Sequence, residues 1–315
     1  MNKIIVTGAT GQIGSELVIA LRKKYGKNNV IAIGHSKPAG DLADGPFAVV
    51  DVTDKEALSI LIAKHQADTI FHLVGILSAK GENDPELAWR VNIEGLKNVL
   101  DIARKSKVKN IFWPSSIAVF GPTTPPDNTP QRTISEPTTM YGTTKVAGEL
   151  LCQYYWKKFG LDIRSLRYPG LISYKTLPGG GTTDYAVAIF IEALKNKKYE
   201  CFVSPETVLP MMYMPDAIRA TMELMEAPSE KVIIRTSYNI TAMSFSAEEL
   251  ANSIAKHVPG FSCTYKPDDR QAIADSWPRS IDDSQAKANW GWQPEFDLEK
   301  MTVDMMENIK NGQDR

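Results

Sequence analysis

The chain has 315 residues, of which 43% are hydrophobic, so it is long and apolar enough to bury a large core. Its formal net charge is -1 and its basic residues are scattered, which argues against nucleic-acid binding and favours a small-molecule partner. Three well-separated cysteines match no metal spacing, the four histidines are unpaired, and no apolar run reaches the roughly 18 residues of a membrane span. We therefore expect a cytoplasmic protein with free thiols, no metal centre and no membrane segment.

Short β-branched runs alternate with helical stretches in the first half of the chain. In chain order, the pattern predicts a strand at 3–7, a helix at 13–24, strands at 30–33 and 47–50, a helix at 55–65, a strand at 69–74, a long helix at 85–105, a strand at 110–114, a helix at 141–159 and a strand at 162–168. Such alternation predicts a parallel sheet covered by helices on both faces. The expected fold class is α/β, a doubly wound parallel sheet of the Rossmann type.

The pattern changes after residue 168, where a glycine-rich segment at 178–181 precedes a second set of elements. These are a helix at 183–194, a strand at 200–203 and helices at 215–225 and 247–257. We assign residues 1–168 to a dinucleotide-binding domain and residues 169–315 to a smaller, mainly C-terminal substrate lobe. Residues 206–245 are expected to return to the first domain, so that the lobe is discontinuous in sequence.

A glycine-rich turn at 7–14 lies between the first predicted strand and the first predicted helix. Gly8, Gly11 and Gly14 have the spacing G-x-x-G-x-x-G, which in this context predicts a dinucleotide site. Glycines let the backbone approach a pyrophosphate closely, and the N–H groups at the start of the helix, around Gln12 and Ile13, can donate hydrogen bonds to it. We interpret these five residues as cofactor-binding, in preference to a packing role for the glycines alone.

The end of the second strand lacks the carboxylate that usually binds the ribose hydroxyls of NAD. His35, Ser36 and Lys37 stand there instead. His35 or Ser36 could bond a ribose hydroxyl, whereas Lys37 could meet the 2′-phosphate of NADP; one clear cation without an arginine favours NAD. After the third strand, Asp51 and Val52 are expected near the adenine, although Asp51 could equally cap the next helix.

Two further segments fit a dinucleotide site. Leu73, Val74 and Gly75 end the fourth strand, where a small residue lets the backbone approach the cofactor. Asn92 lies inside an otherwise apolar helix and, if buried, needs hydrogen-bond partners. It is interpreted equally as a brace for the backbone of the fourth or fifth strand and as an active-site residue.

Tyr141 and Lys145 are four residues apart on one predicted helix, so their side chains share a face. A phenol ordinarily loses its proton at a pH of about 10. A neighbouring ammonium, together with a nicotinamide ring that is positive when oxidised, favours phenolate nearer neutrality and makes the tyrosine a base. Ser115 and Ser116 stand upstream at the end of the fifth strand. The combination predicts a dehydrogenase site.

Five features together resemble the extended short-chain dehydrogenase/reductase family over essentially the whole chain: the glycine turn, the Tyr141 and Lys145 pair, and residues 115–121, 167–170 and 290–294. Within that family, the chain is similar to the short-chain L-threonine 3-dehydrogenases. This similarity is carried by residues 112–125, 168–173, 178–186, 211–214, 274–278 and 280–286. The chain departs from the family at the end of the second strand, where an aspartate is frequent.

The resemblance implies that NAD oxidises L-threonine at its C3 hydroxyl, giving 2-amino-3-ketobutyrate. Tyr141 would take the hydroxyl proton, Lys145 would hold the tyrosine charge and the nicotinamide ribose, and Ser116 would bond the same substrate oxygen. The implied cofactor contacts include Asn92, Tyr141, Lys145, Tyr168, Pro169 and Ile172. The implied substrate contacts are Ser78, Ser115, Ser116, Tyr141, Gly180, Thr182 and Thr183.

The two charged groups of threonine need partners in a closed pocket. Hydroxyls of Ser78, Thr182 and Thr183 and the N–H groups after the glycine run are expected around its carboxylate, and Asp184 either pairs with the ammonium or caps its own helix. A nucleotide-sugar 4-epimerase or reductase is the alternative enzyme, and a non-catalytic NAD sensor is a third hypothesis. The resemblance also suggests a homodimer formed by the two long helices at 85–105 and 141–159.

Overall fold

The computed structural model describes residues 1–36, 38 and 40–313. Its strands, in chain order, are β1 (Ile4–Thr7), β2 (Val30–Gly34), β3 (Phe47–Val49), β4 (Thr69–His72), β5 (Asn110–Ser116), β6 (Asp162–Tyr168), β7 (Gly170–Ile172), β8 (Lys198–Cys201), β9 (Val208–Tyr213), β10 (Tyr238–Asn239), β11 (Met243–Ser246) and β12 (Ser262–Tyr265). Its α-helices are α1 (Gln12–Tyr25), α2 (Lys55–His65), α3 (Ser78–Asn83), α4 (Pro85–Trp89), α5 (Gly95–Lys105), α6 (Met140–Phe159), α7 (Tyr185–Asn196), α8 (Met214–Glu226), α9 (Ala247–Ala255), α10 (Arg270–Asp275), α11 (Ser284–Trp290) and α12 (Leu298–Gln313).

The main sheet has the strand order β10-β6-β5-β4-β1-β2-β3, and every neighbouring pair is parallel. Helices cover both of its faces, so the predicted doubly wound α/β fold is confirmed. Two smaller sheets follow, one with the order β11-β9-β7 and one that pairs β12 with β8. The chain thus returns to the main sheet at β10, while the division at residue 168 stays a prediction.

Strand β1 shows why the core strands read as continuous apolar runs. Ile4 and Val6 pack on one face of the sheet, against α1 and α8, and Ile5 packs on the other, against α2, α5 and α6. All three side chains are fully buried. Successive residues of a strand point to opposite faces, so both faces of these three residues meet the core and all three are apolar.

The long helix predicted at 85–105 is interrupted. It consists of α4, a π-helical turn at Arg90–Glu94, and α5. A π-turn accommodates one extra residue and commonly marks a functional position in a helix. Asn92 lies within this turn, so the interruption coincides with the one buried polar residue that the sequence singled out there.

Helix α6 carries the Tyr141 and Lys145 pair and has well-defined ends. The hydroxyl of Thr139 accepts a hydrogen bond from the Gly142 N–H at 3.0 Å and caps the first turn, where Tyr141 lies. Gly160, at a φ of 70°, ends the helix in the left-handed conformation that glycine adopts without strain. Among the described residues, no helix is long and apolar enough to cross a membrane.

Candidate active site

The candidate site lies at the carboxyl ends of β1, β4, β5 and β6. Ligands bind at this edge in open α/β sheets because the loops that leave the strands meet there. Two cavities open at the edge and share Leu73 and Gly75 in their walls. They therefore form adjoining halves of one cleft.

The glycine turn forms a cradle that side chains would fill. Gly8 has a φ of 72°, and a Cβ placed there would lie 2.9 Å from the backbone nitrogen of Val74. A Cβ on Gly14 would lie 2.2 Å from the carbonyl oxygen of Gly8. Gly11 is the N-cap of α1, has no side chain to cap the helix, and is followed by a first turn without an acidic residue. Uncapped N–H groups at a helix N-terminus suit a pyrophosphate, so the residues present fit a dinucleotide.

The first cavity lies beyond the glycine turn and has an apolar wall with one imidazole. It is lined by Gly8, Thr10, Gly11, Ile33, Gly34, His35, Val50, Val52, Leu73, Val74 and Gly75. Seven of these were predicted as cofactor contacts: Gly8, Gly11, His35, Val52, Leu73, Val74 and Gly75. Its shape and chemistry fit the adenosine half of a dinucleotide.

Two predicted cofactor contacts, Ser36 and Asp51, do not line this cavity. Ser36 is exposed, and Lys37 lies outside the described residues. The carboxylate of Asp51 accepts hydrogen bonds from the N–H and the hydroxyl of Thr53, both at 2.8 Å, and these bonds lower its pKa. Asp54 caps α2, so the suggestion that Asp51 caps this helix was wrong.

The second cavity surrounds the Tyr141 side chain and has a volume of about 150 Å³. Thirteen residues predicted from the sequence line it: Gln12, Ile13, Leu73, Gly75, Ser78, Ser115, Ser116, Tyr141, Lys145, Tyr168, Pro169, Thr182 and Thr183. The fold therefore brings the strand ends, the first turns of α6 and the segment before α7 together around one space.

Tyr141, Ser116 and Lys145 form the centre of the second cavity. Ser116 and Tyr141 line this cavity together, and the Ser116 hydroxyl lies near enough to the phenol to lower its pKa. The Lys145 ammonium lies over the Tyr141 ring, 5.4 Å from its centroid, and donates a hydrogen bond to the carbonyl oxygen of Pro114 at 2.6 Å. A phenol, a hydroxyl and an ammonium thus converge where an alcohol could be deprotonated.

The protein alone leaves this phenol neutral. Burial raises the pKa of Tyr141 to about 12, although the nearby Ser116 hydroxyl opposes the shift. Burial also lowers the pKa of Lys145 to about 8, against the attraction of the negative forms of Cys152 and Glu149. Since burial disfavours the charged form of each group, phenolate requires additional positive charge at the site.

Ser115 is distinguished from Ser116 by its hydrogen bond. Its hydroxyl donates to the carboxylate of Glu149 at 2.6 Å, and the side chain is only 2% exposed. Ser116 instead faces the phenol. The choice of Ser116 over Ser115 as the catalytic hydroxyl remains a prediction, and this geometry favours it.

Asn92 holds the loop that follows β4. Its side-chain oxygen accepts from the N–H of Ile76 at 2.7 Å, and its side-chain nitrogen donates to the carbonyl oxygen of Ile76 at 3.1 Å and to the hydroxyl of Thr144 at 3.0 Å. The structure therefore shows a bracing contact, but to the loop after β4 and not to the β4 or β5 strand itself. Asn92 lines neither cavity, so any effect on a ligand passes through Ile76 and its neighbour Gly75.

The segment before α7 is folded around Asp184. Oδ2 of this residue accepts hydrogen bonds from the N–H groups of Gly179, Gly180 and Gly181, at 2.8, 2.7 and 2.8 Å. An internal carboxylate therefore occupies the N–H groups of the three glycines themselves, and the seating of a substrate carboxylate by the N–H groups after the glycine run stays a prediction. Capping of α7 by this side chain is not observed.

Further wall residues were not assigned to the site from the sequence. Trp277, which is 9% exposed, comes from the segment after α10 and closes one side of the second cavity. It is far from the other wall residues in sequence, so only the resemblance at 274–278 could have indicated it. The remaining unassigned wall residues of this cavity are Leu77, Pro114, Ile117, Gly170, Leu171 and Gly181, whereas Asp184, which also lines it, was considered from the sequence.

Six predicted residues line neither cavity: Gly14, Ser36, Asp51, Asn92, Ile172 and Gly180. Gly14 acts through the close contact with Gly8 described above. Ile172 is fully buried in β7, and Gly180 is exposed at a φ of 94°. For the described residues, no group of three His, Cys, Asp or Glu side chains could hold a metal ion.

One family matches most of the chain. The family model described as "NAD dependent epimerase/dehydratase family" matches residues 4–241, and the chain belongs to that family. It is also 50% identical, over 98% of both chains, to an uncharacterised epimerase/dehydratase of Staphylococcus haemolyticus.

Two solved structures are similar over nearly the whole chain. The first is L-threonine dehydrogenase from Clostridium difficile, with 52% identity, a TM-score of 0.97 and coverage of 99% of this chain and 98% of that one. The second, described as a monomeric L-threonine 3-dehydrogenase from a metagenome database, has 51% identity, a TM-score of 0.95 and coverage of 98% and 99%. Family and neighbours together support an NAD-linked oxidoreductase or epimerase of the extended short-chain type.

Proposed function

We propose that this chain oxidises the C3 hydroxyl of L-threonine with NAD, giving 2-amino-3-ketobutyrate. The observation that carries the proposal is the small cavity in which Tyr141, Ser116 and Lys145 share a wall with the hydroxyl-bearing residues Thr182 and Thr183. The similarity to two solved L-threonine dehydrogenases supports the same substrate.

In the proposed step, the O–H and C3–H bonds of the alcohol break and a C=O bond forms. Tyr141, as phenolate, accepts the hydroxyl proton, while Ser116 holds the substrate oxygen within hydrogen-bond distance. NAD, when bound, supplies a positively charged ring that accepts the hydride from C3. The protein returns to its starting state when Tyr141 releases the proton.

Lys145 has two proposed tasks. Its ammonium lies close enough to the Tyr141 ring to stabilise negative charge on the phenol, and it can donate to a ribose hydroxyl with the N–H bonds that Pro114 does not use. The other proposed cofactor contacts fall into three groups. The pyrophosphate is bound by Gly8, Gly11, Gln12, Ile13 and Gly14, and the ribose and adenine by His35, Ser36, Asp51, Val52, Leu73, Val74 and Gly75. The nicotinamide is bound by Tyr168, Pro169 and Ile172, and Asn92 holds the loop after β4 in place.

The charged ends of the substrate are assigned to Ser78, Thr182, Thr183 and Asp184, which line the same cavity. The hydroxyl oxygens of Ser78 and Thr182 lie 3.4 Å apart, within hydrogen-bond distance of each other, and are close enough to share a substrate carboxylate with Thr183. For Asp184, Oδ2 is taken by the glycine N–H groups, whereas no described residue donates to Oδ1. We assign the substrate ammonium to Oδ1, and Gly180 contributes by shaping this turn.

The alternative is a nucleotide-sugar 4-epimerase or reductase, which the family description allows. The size of the cavity favours the amino acid. Its volume of about 150 Å³ is small beside the roughly 300–1,000 Å³ of pockets for larger ligands.

The test is the absorbance of NADH with L-threonine as substrate. UDP-galactose is the control, and its sugar product is analysed separately because 4-epimerisation forms no net NADH. The account predicts NADH formation with threonine alone. Turnover of UDP-galactose without threonine oxidation would support the epimerase, and binding of NAD without turnover of either would support a sensor.

A homodimer through α5 and α6 is proposed on one feature of α6. Leu150 is 58% exposed and Tyr154 is 53% exposed on this helix, which is much apolar surface for a helix facing water. Light scattering on the purified chain decides between this pairing and a monomer, the state named for one solved relative. A cytoplasmic location is proposed from the free cysteines alone.

A further inference from the structure

A buried ion pair lies one helical turn beyond Lys145 on α6. Glu149 is 5% exposed and Arg167, on β6, is 6% exposed. The guanidinium donates from Nε to one carboxylate oxygen at 2.8 Å and from a terminal nitrogen to the other at 2.7 Å. Burying two charges has a large desolvation cost, and an apolar pair of similar size would often be as stable. Stability alone therefore does not account for this ion pair, which points to a role in the site.

The carboxylate is connected to the reacting groups through one serine. Ser115 donates to Glu149 at 2.6 Å and stands on β5 between two residues that contact the Tyr141 and Lys145 pair. On one side, the carbonyl oxygen of Pro114 accepts from Lys145. On the other side, Ser116 lines the cavity beside the phenol and lowers the pKa of that group. Movement of Ser115 would shift both contacts together.

The guanidinium fixes the carboxylate in turn. Besides Glu149, Arg167 donates to the carbonyl oxygen of Gln131 and to the side-chain oxygen of Asn239, both at 3.1 Å. It also lies over the ring of Phe120, 5.2 Å from the centroid. These partners belong to the loop after β5 and to β10, so the ion pair is held from several sides.

We propose that Glu149, held by Arg167, is a positioning residue that fixes Ser115 and thereby the contacts of Pro114 and Ser116 with the reacting pair. This inference rests on the proposed oxidation of an alcohol by Tyr141. Glu149 touches neither substrate nor cofactor in it, and it acts by limiting the movement of the β5 end.

The charge of Glu149 has a second consequence for Lys145. The groups that face the ammonium are Tyr141, Cys152 and Glu149 from α6 and His72 from β4, and Arg167 lies behind Glu149. Burial lowers the pKa of His72 to about 3, so its imidazole is neutral. The negative forms of Cys152 and Glu149 both raise the pKa of Lys145. Burial raises the pKa of the Cys152 thiol and keeps it neutral, so Glu149 is the group that carries the negative charge. Its neutralisation should make the ammonium lose its proton at lower pH.

The test compares Glu149→Gln with Ser115→Ala and with a matched control. The amide keeps the size of the side chain but loses the charge, whereas Ser115→Ala removes only the link to β5 and leaves the ion pair intact. Asp162→Asn is the control, because Asp162 forms ion pairs with Arg164 and Arg235 at the opposite end of β6.

For Glu149→Gln we expect kcat to fall by about tenfold or more, with KM for NAD within about twofold. The alkaline limb of its pH profile should move to lower pH. Ser115→Ala should lower kcat similarly without that movement, and the double variant should lose less than the product of the single losses. Asp162→Asn should lower the melting temperature and leave both kcat and the pH profile unchanged.

Crystal structures of the variants separate this inference from the proposed function. Loss of the 2.6 Å contact between Lys145 and Pro114 in Glu149→Gln would support positioning even for a chain that does not oxidise threonine. An unmoved β5 end with unchanged kcat and pH profile would overturn the inference. So would an equal loss of kcat in the Asp162→Asn control.

Discussion

The ammonium of Lys145 lies over the ring of Tyr141, 5.4 Å from its centroid, and gives a hydrogen bond to Pro114 rather than to the phenol. The lysine is therefore close enough to act on the phenol by charge, while its position is set by the β5 backbone. Burial opposes ionisation of both groups, so formation of the Tyr141 phenolate needs a further positive charge. The nicotinamide ring of the proposed NAD would supply it.

Removal of the phenol oxygen should stop proton transfer and leave the cofactor cradle intact. For Tyr141→Phe we expect kcat with L-threonine to fall by about 10²–10⁴-fold, the usual contribution of a positioned acid or base. NAD affinity, measured by calorimetry, should change by less than about twofold. Full turnover in this variant would remove Tyr141 as the base.

Binding of oxidised NAD should release protons. The pKa of Tyr141 is about 12 in the protein alone, and the positive nicotinamide should lower it. A group that binds ligand better when deprotonated makes affinity rise with pH, so NAD affinity should increase between the lowered pKa and the original one. Calorimetry in buffers of different ionisation heat counts the released protons. Tyr141→Phe should abolish this release, and equal release in both proteins would contradict the assignment.

The hydroxyl of Thr183 should matter for substrate and not for cofactor. We expect Thr183→Ala to raise KM for L-threonine about tenfold, the value of one lost hydrogen bond in a closed site, with KM for NAD nearly unchanged. Thr183→Ser should restore most of the affinity. Thr123→Ala is a matched control, since this threonine is exposed in the loop after β5 and bonds only Glu136 among the described residues. Equal losses for threonine and NAD would reject the contact.

The glycine cradle gives a prediction about the cofactor alone. A methyl group on Gly14 would meet the carbonyl oxygen of Gly8 at 2.2 Å, so Gly14→Ala must displace the turn. NAD affinity should fall by about tenfold or more because the α1 N–H groups no longer face the pyrophosphate. Melting curves recorded without NAD show whether the fold survives. Unchanged NAD affinity in a folded variant would contradict the assignment of the cradle.

Local patterns in the sequence predicted much of this site. The glycine spacing, the helix that carries Tyr141 and Lys145, and the two serines of β5 are each set by a short segment, so period and turn chemistry were sufficient to locate them. The fold class followed from the alternation of such segments.

The remaining features depend on contacts between distant segments. Asp184 binds the N–H groups of its own loop, but whether it does so or faces a ligand depends on how that loop packs. Trp277 and the Ser115–Glu149 bond join residues that only the complete fold brings together. The π-turn at Asn92 arises within a helix whose sequence pattern is continuous, so periodicity could not reveal it.

The most direct test follows the hydrogen on C3. The protein is incubated with NAD and L-threonine that carries deuterium at C3, and the reduced cofactor is examined by mass spectrometry. The account predicts reduced cofactor that carries the deuterium on its nicotinamide ring. With Tyr141→Phe, it predicts no more than a trace of reduced cofactor. Reduced cofactor without the label, or none at all from the unmodified protein, would contradict hydride transfer from C3 of threonine.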